Sequence, residues 1–334
     1  MAAAAKIFWH SEAHIFQACF YTQWSNLIFV YHALGRDSKI FVSTYKKEIT
    51  MNKIGFNLLV WSGGLPDSFL PITEKLKTFG YDGIECFMQE KDKSVYKRFG
   101  KHLQSIGLEA TCVLGLGPDE NPISDSKAVR EKANVRLKEA IDCADAIGSK
   151  IICGPFHSAF ADFSNRHPPE EQEYGWSAEV LHAAGEYAKQ ANLVLTIEAL
   201  NRFECFLCNT MDQLSGLVKR VSHPHVKAMF DTHHANIEEK KISEALKKIA
   251  PFLAHVHISE NDRGTPGDGH IDWDEVFVAL ASIKYKGWLT IEAFTRNDPN
   301  FANAINVWRN YSEPWEMAEK GIKLIREMGK KHGV

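Results

Sequence analysis

The chain of 334 residues has no excess of positive charge: 39 Lys and Arg stand against 42 Asp and Glu, a net charge of −3. A surface that follows a phosphate backbone or an anionic membrane needs the opposite balance, so neither nucleic acid nor membrane is expected as a partner. A good membrane span is also missing. Ile15–Leu34 is uncharged, but Gln17, Thr22, Gln23, Ser25, Asn26 and His32 make it too polar for a spanning helix. It lacks the compact apolar run and small-residue cleavage site of a secretory signal. The seven cysteines are odd in number and scattered, which suits a reduced, cytoplasmic chain. Cys205-x-x-Cys208 stands alone, without a second pair or a thioredoxin-like context, and is not read as a redox or zinc site. There is no internal repeat. Trp61-Ser-Gly-Gly-Leu65 has two glycines after the first strand, but not the spacing of a dinucleotide-binding turn.

What is present divides at residue 50. Met1–Thr50 shows no helical or alternating period and is expected to be a non-native or disordered extension. A second methionine, Met51, directly precedes a good first strand, Lys53–Val60. From there, short apolar runs alternate with amphipathic ones. The strands are Lys53–Val60, Gly83–Cys86, Leu108–Leu114, Lys150–Cys153, Leu193–Glu198, Val226–Asp231, Leu253–Ile258 and Trp288–Glu292. Between and after them the pattern predicts helices over 67–79, 94–106, 124–147, 171–190, 211–221, 242–249, 273–283 and 316–330. Gly80, Gly107 and Gly148 stand as stops after the first three. Eight strand–helix units in about 280 residues fit a single (β/α)8 TIM barrel over residues 51–334.

Four metal-ligand residue types fall at the ends of four successive strands: Glu198, Asp231, His257 and Glu292, with gaps of 33, 26 and 35 residues. The C-terminal strand ends of a barrel converge on one mouth. Each residue alone has a bland reading: a carboxylate as a helix cap or solvated loop residue, a histidine as packing. Together, three carboxylates at one mouth would repel one another in a low dielectric, and a cation removes that conflict. Three carboxylates and one imidazole suit one divalent cation, Mn²⁺, Mg²⁺ or Co²⁺. Glu204, His234 and Arg263 lie just past these ends, placed to meet the hydroxyls of a polyol. Arg202 reads equally well as a surface ion pair. The glycine-rich loop 264–269 is read as shaping a turn rather than holding phosphate.

At these residues the chain resembles the D-tagatose 3-epimerase / D-psicose (D-allulose) 3-epimerase family of xylose-isomerase-like barrels. The pieces that carry the resemblance are Glu198-Ala-Leu-Asn-Arg-Phe-Glu204, Asp231-Thr-His-His-Ala-Asn-Ile-Glu-Glu239, the His257 to Arg263 loop, Ile291-Glu292-Ala-Phe294 and Met51-Asn-Lys-Ile-Gly. The resemblance implies a metal-dependent ketose 3-epimerase acting on a free sugar, with Glu198, Asp231, His257 and Glu292 holding one divalent cation per subunit, Mn²⁺ first. Glu198 and Glu292 would remove and return the C3 proton through a cis-enediolate. Glu204, His234 and Arg263 would hold the first hydroxyls and carbonyl, and Phe294 would pack against the far end. It also implies a homo-oligomer, dimer or tetramer. The chain departs from the family at Phe56-Asn57, at Trp61 and at Pro155-Phe-His-Ser-Ala-Phe160, the loops that contact C4–C6 in relatives, which leaves the preferred ketose open. The rival readings are an aldose–ketose isomerase, an inosose dehydratase, an apurinic endonuclease and a non-catalytic sugar binder. The endonuclease would need a multi-zinc cluster with further histidines after strand seven, and Gly267-Asp-Gly-His270 is read as lacking the Asp-x-His pair.

Overall fold

The computed structural model describes residues 51–164 and 167–334, and within the first fifty residues the backbone of four strands. The chain divides into two compact units, Met1–Thr50 and Met51–Val334. In the first, β1 (Ala4–Ser11), β2 (His14–Gln23), β3 (Asn26–Leu34) and β4 (Ile40–Lys46) pair in chain order as an antiparallel sheet. The expected non-native or disordered extension falls on this unit. Apart from these strand backbones it lies outside the described residues.

The second unit is a closed barrel of eight parallel strands: β5 (Ile54–Asn57), β6 (Gly83–Phe87), β7 (Glu109–Val113), β8 (Ile151–Gly154), β9 (Val194–Ile197), β10 (Val226–Asp231), β11 (Leu253–Ile258) and β12 (Trp288–Ile291). They pair in chain order, and β12 returns to β5. The major helices between and after them are α1 (Leu70–Phe79), α2 (Lys93–Ile106), α3 (Lys127–Ile147), α4 (Glu171–Gln190) and α5 (Met211–Val221). Short α6 (Thr232–Glu238) follows β10 directly, then come α7 (Ile242–Ile249) and α8 (Trp273–Ser282). Short α9 (Pro299–Ala304) and the closing α10 (Pro314–His332) follow β12. The expected eight-unit barrel is therefore present. The sequence pattern did not announce α6 and α9, since six or seven residues are too few to show a period. No helix among the described residues is long and apolar enough to cross a membrane.

Strand alternation sorts the residues into two layers. Ile84, Cys86, Cys112, Ile152, Leu195, Ile197, Ala228, Phe230, Val256, Ile258, Leu289 and Ile291 belong to the main apolar core. The alternate residues Glu85, Thr111, Thr196, His255, His257 and Thr290 are equally buried but polar, and so line the barrel interior. Helix ends follow their sequence signals. Gly80 and Gly107 close α1 and α2 at φ 91° and 69°, a left-handed conformation that glycine adopts without strain. Pro71 sits in the first turn of α1, where its missing N–H leaves no bond unmade. Asp272 caps α8 by accepting from the Glu275 N–H at 3.0 Å.

Register brings the site together. Asp231 is the partner of His257 across β10 and β11, and Ile258 is the partner of Ile291 across β11 and β12. Glu292 comes one residue after Ile291, and its N–H donates to the Ile258 carbonyl at 3.2 Å. Glu198 comes one residue after β9, with its N–H on the Gly154 carbonyl of β8 at 3.0 Å.

Candidate metal and sugar site

All four ligand candidates are buried, and their side chains form one cluster whose donor atoms lie within 4.8 Å of one another. His257 Nδ1 is 3.5 Å from Asp231 Oδ2 and 3.4 Å from Glu292 Oε2. Asp231 serves as both cap and ligand candidate. Its Oδ1 accepts from the N–H groups of His233 (2.6 Å) and His234 (3.2 Å) to start α6, while Oδ2 faces the cluster. The bland and functional readings of that residue are both met, by its two oxygens.

The residues present fit a cation. Glu198 Oε1 and His257 Nδ1 are fully buried with no hydrogen-bond partner, which is costly for a polar atom unless something else satisfies it. Burial, and then the neighbouring charges of Glu292 and Asp231, outweigh the pull of His257 and push the Glu198 carboxyl well above the usual carboxylate range. Excess negative charge of this kind is what a divalent ion relieves. Oxygen-rich donors with one imidazole match a hard or borderline divalent ion better than a closed structural zinc site.

Arg263 is the organising cation of the described site. Its Nη1 donates to Asp231 Oδ2 (3.0 Å), Glu292 Oε2 (2.8 Å) and Ser259 Oγ (2.8 Å), and its Nη2 is 2.8 Å from His234 Nε2. Its backbone takes a left-handed φ of 64°, a strained conformation for a residue with a Cβ, of the sort that clusters at functional positions. Burial, and then the Arg263 guanidinium, hold His234 well below the usual histidine range, which favours a neutral ring. Donors face both ring nitrogens, Arg263 Nη2 at Nε2 and the Asn201 N–H at Nδ1 (3.1 Å), and a neutral ring accepts from one of them. Glu204 accepts from the Asn201 side chain at 3.0 Å. Phe294 packs beneath the Arg263 guanidinium, 4.9 Å from ring centre to Cζ.

Glu198, Glu292, Glu204, His234, Arg263 and Phe294 all border one cavity of about 700 Å³, whose outer wall is largely apolar and includes Phe87, Leu116, Phe160 and Phe301. Asp231 and His257 do not line the cavity, and join it only through the cluster they form with Glu198 and Glu292. Arg202 is not part of it: it is an exposed residue paired with Glu238 at 2.8 Å. The 264–269 loop is also occupied, because the Gly267 N–H donates to the buried carboxylate of Glu260 at 2.8 Å. Asp268-Gly-His270 does have the Asp-x-His form used by multi-zinc sites, which the sequence reading passed over. Asp268 pairs with Lys320 at 3.0 Å and His270 is exposed, and neither joins a candidate metal cluster among the described residues. Cys205 and Cys208 are both buried free thiols.

Nothing in the sequence marked Asn57, Glu85, His157 or Ser259 as supports. The Asn57 amide donates to Glu85 Oε1 (2.9 Å) and Glu292 Oε1 (3.3 Å). His157 Nε2 meets the Glu198 carbonyl at 2.8 Å, which explains this imidazole among aromatic residues. Ser259 Oγ donates to the Glu292 carbonyl at 2.8 Å. The one available signal was Glu85 itself, an acid in the otherwise apolar run Gly83–Phe87.

The fold and this site define a metal-site barrel for small polar substrates, and comparison with known proteins gives it a family. Residues 73–328 match the family model described as xylose isomerase-like TIM barrel, and the chain belongs to that family. It is 28% identical to the D-psicose 3-epimerase of Agrobacterium fabrum over 270 residues, 80% of this chain and 93% of the relative. It is equally 28% identical to the L-ribulose 3-epimerase of Methylomonas sp. over 278 residues, 82% of this chain and 96% of the relative. Among solved structures, D-allulose 3-epimerase from Methylomonas sp. in complex with D-allulose superposes with a TM-score of 0.77 at 28% identity, covering 83% of this chain and 97% of that one.

Proposed function

We propose that the Met51–Val334 unit is a metal-dependent ketose 3-epimerase acting on free ketoses of the D-fructose/D-psicose and D-tagatose/D-sorbose type. One observation carries this reading. Glu198 and Glu292 stand at the ends of β9 and β12, and Asp231 and His257 stand between them on β10 and β11. Inverting a carbon that bears a hydrogen requires removing a proton from one face and adding one to the other, and two carboxylates flanking a common cluster suit that task. A pure sugar binder has no need of such a pair.

One carboxylate takes the C3 proton, and the C–H electron pair enters an enediolate with the adjacent carbonyl. The other carboxyl group gives a proton to the opposite face of C3. The reaction is reversible, so each glutamate serves in both directions. Arg263 and His234 offer contacts to the carbonyl and first hydroxyls, Glu204 accepts from a hydroxyl, and Phe294 forms part of the wall for the carbon chain. A divalent cation held by Glu198, Asp231, His257 and Glu292, with Mn²⁺ the first choice, would supply positive charge to the oxygens next to the reacting carbon.

The test is incubation with Mn²⁺ and D-fructose, D-psicose, D-tagatose or L-ribulose in D₂O, followed by proton NMR. Loss of the C3 hydrogen and appearance of the C3 epimer, both abolished by EDTA, are expected. Exchange at C1 with aldose formation would move the assignment to an aldose–ketose isomerase.

A further inference from the structure

Directly beneath the ligand cluster lies a second buried set, Glu85, Cys153, His255 and His257, which shares only His257 with the first. Glu85 is fully buried, and five groups converge on it. Asn57 Nδ2 (2.9 Å) and His257 Nε2 (2.8 Å) meet Oε1, while Thr111 Oγ1 (2.9 Å), Cys153 Sγ (3.2 Å) and His255 Nε2 (2.9 Å) meet Oε2. A carboxylate in a barrel interior is costly, and three hydrogen bonds from Asn57, Thr111 and Cys153, with two imidazoles set against it, point to a task. The strand register places it there, since Asn57, Glu85 and Thr111 are direct partners across β5, β6 and β7.

We propose that Glu85 is a positioning residue for the metal centre: its carboxylate holds the His257 proton on Nε2, which leaves the Nδ1 lone pair facing the carboxylates of Asp231 and Glu292. The inference rests on the metal reading above. The two ring nitrogens of His257 have opposite surroundings. Nε2 has a carboxylate oxygen within hydrogen-bond distance, whereas Nδ1 has no hydrogen bond and sits beside two ligand candidates. A carboxylate on the far nitrogen fixes both tautomer and ring angle, and raises the basicity of the nitrogen that binds metal. His255, on the same inward face two residues earlier, has its Nε2 2.9 Å from the other carboxylate oxygen.

Two measurements test this. In Glu85→Gln, one acceptor oxygen remains but the charge is gone, and Mn²⁺ affinity by titration calorimetry is expected to fall about 10- to 100-fold. The melting temperature of the metal-free variant reports the fold separately. A folded variant whose Mn²⁺ affinity stays within threefold of wild type overturns the proposal. Should the variant not fold, the wild-type protein decides: long-range ¹H–¹⁵N spectra of ¹⁵N-histidine-labelled metal-free protein, assigned with His257→Gln, read the tautomer directly. A proton on His257 Nε2, alone or together with one on Nδ1, is expected, and a ring protonated on Nδ1 alone overturns the proposal. Wild type that binds no Mn²⁺ overturns the metal reading and the proposal with it. Binding by wild type and Glu85→Gln alike removes the proposal alone.

Discussion

Replacing Glu292 with glutamine tests the reaction and the site together, because the structure limits what the substitution does to folding. Glu292 Oε2 accepts from Arg263 Nη1 at 2.8 Å, and Oε1 accepts from Asn57 Nδ2 at 3.3 Å. A glutamine amide must turn its NH₂ toward one of these donors. The longer Asn57 contact is the weaker one and is the one expected to be lost. Asn57 is not free to flip in compensation, since its Oδ1 caps the Leu59 N–H at 2.9 Å and its Nδ2 also serves Glu85. One buried donor is left against another, at a cost of about 1–3 kcal/mol. From an ordinary domain stability, even a loss of about 3 kcal/mol out of about 5 leaves about 97% of the molecules folded. Unfolding therefore cannot lower turnover noticeably. Losing one of two proton-transfer carboxylates removes about 10²- to 10⁴-fold. The expected outcome, with excess Mn²⁺ and monitoring C3 exchange by NMR, is a kcat at least 10²-fold down and a KM within about tenfold of wild type. A folded, metal-loaded Glu292→Gln enzyme with kcat within tenfold of wild type would refute the assignment of Glu292 to proton transfer.

Other perturbations have equally definite outcomes. Stripping the metal with EDTA should abolish turnover, and Mn²⁺ at 100 times its Kd should stabilise the protein by about 2.7 kcal/mol, read as a rise in melting temperature; an unchanged melting temperature would count against the site. Arg202→Ala removes one exposed ion pair and should change stability by less than about 1 kcal/mol while leaving kcat/KM as it is, so a large activity loss would bring Arg202 back into the site. In Gly100→Ala, the new Cβ would lie 2.5 Å from the Ile147 backbone oxygen. Overpacking of about 1–3 kcal/mol then outweighs or cancels the roughly 1 kcal/mol of helix propensity gained, and urea unfolding should show a loss of stability or none, never a gain. A protein beginning at Met51 should keep the melting temperature of the barrel and the kcat/KM of the full chain, and loss of either would show that the first fifty residues belong to the working enzyme.

The candidate ligands stand out in the sequence, and their supports do not, for a physical reason. Glu198, Asp231 and Glu292 each end a largely apolar strand, and a charge at such a boundary is visible because the three residues before it carry none. The spacing of one strand, helix and loop per unit then assigns them to neighbouring strands without any knowledge of contacts. Glu85 sits inside a strand, where period-2 alternation allows any inward residue. Only the register across β5, β6 and β7 reveals that Asn57 and Thr111 are its partners, and only the closed barrel brings β11 round to set His255 and His257 against it. His157 shows the same limit from a loop: its role depends on the Glu198 carbonyl, a backbone atom that no side-chain pattern encodes. Ligand identity is thus written locally, at strand ends, whereas ligand orientation is written in pairings far apart along the chain. Substitutions at the supports should accordingly alter metal affinity and ring geometry before they alter which residues bind, and Glu85 is the position where that separation can be measured.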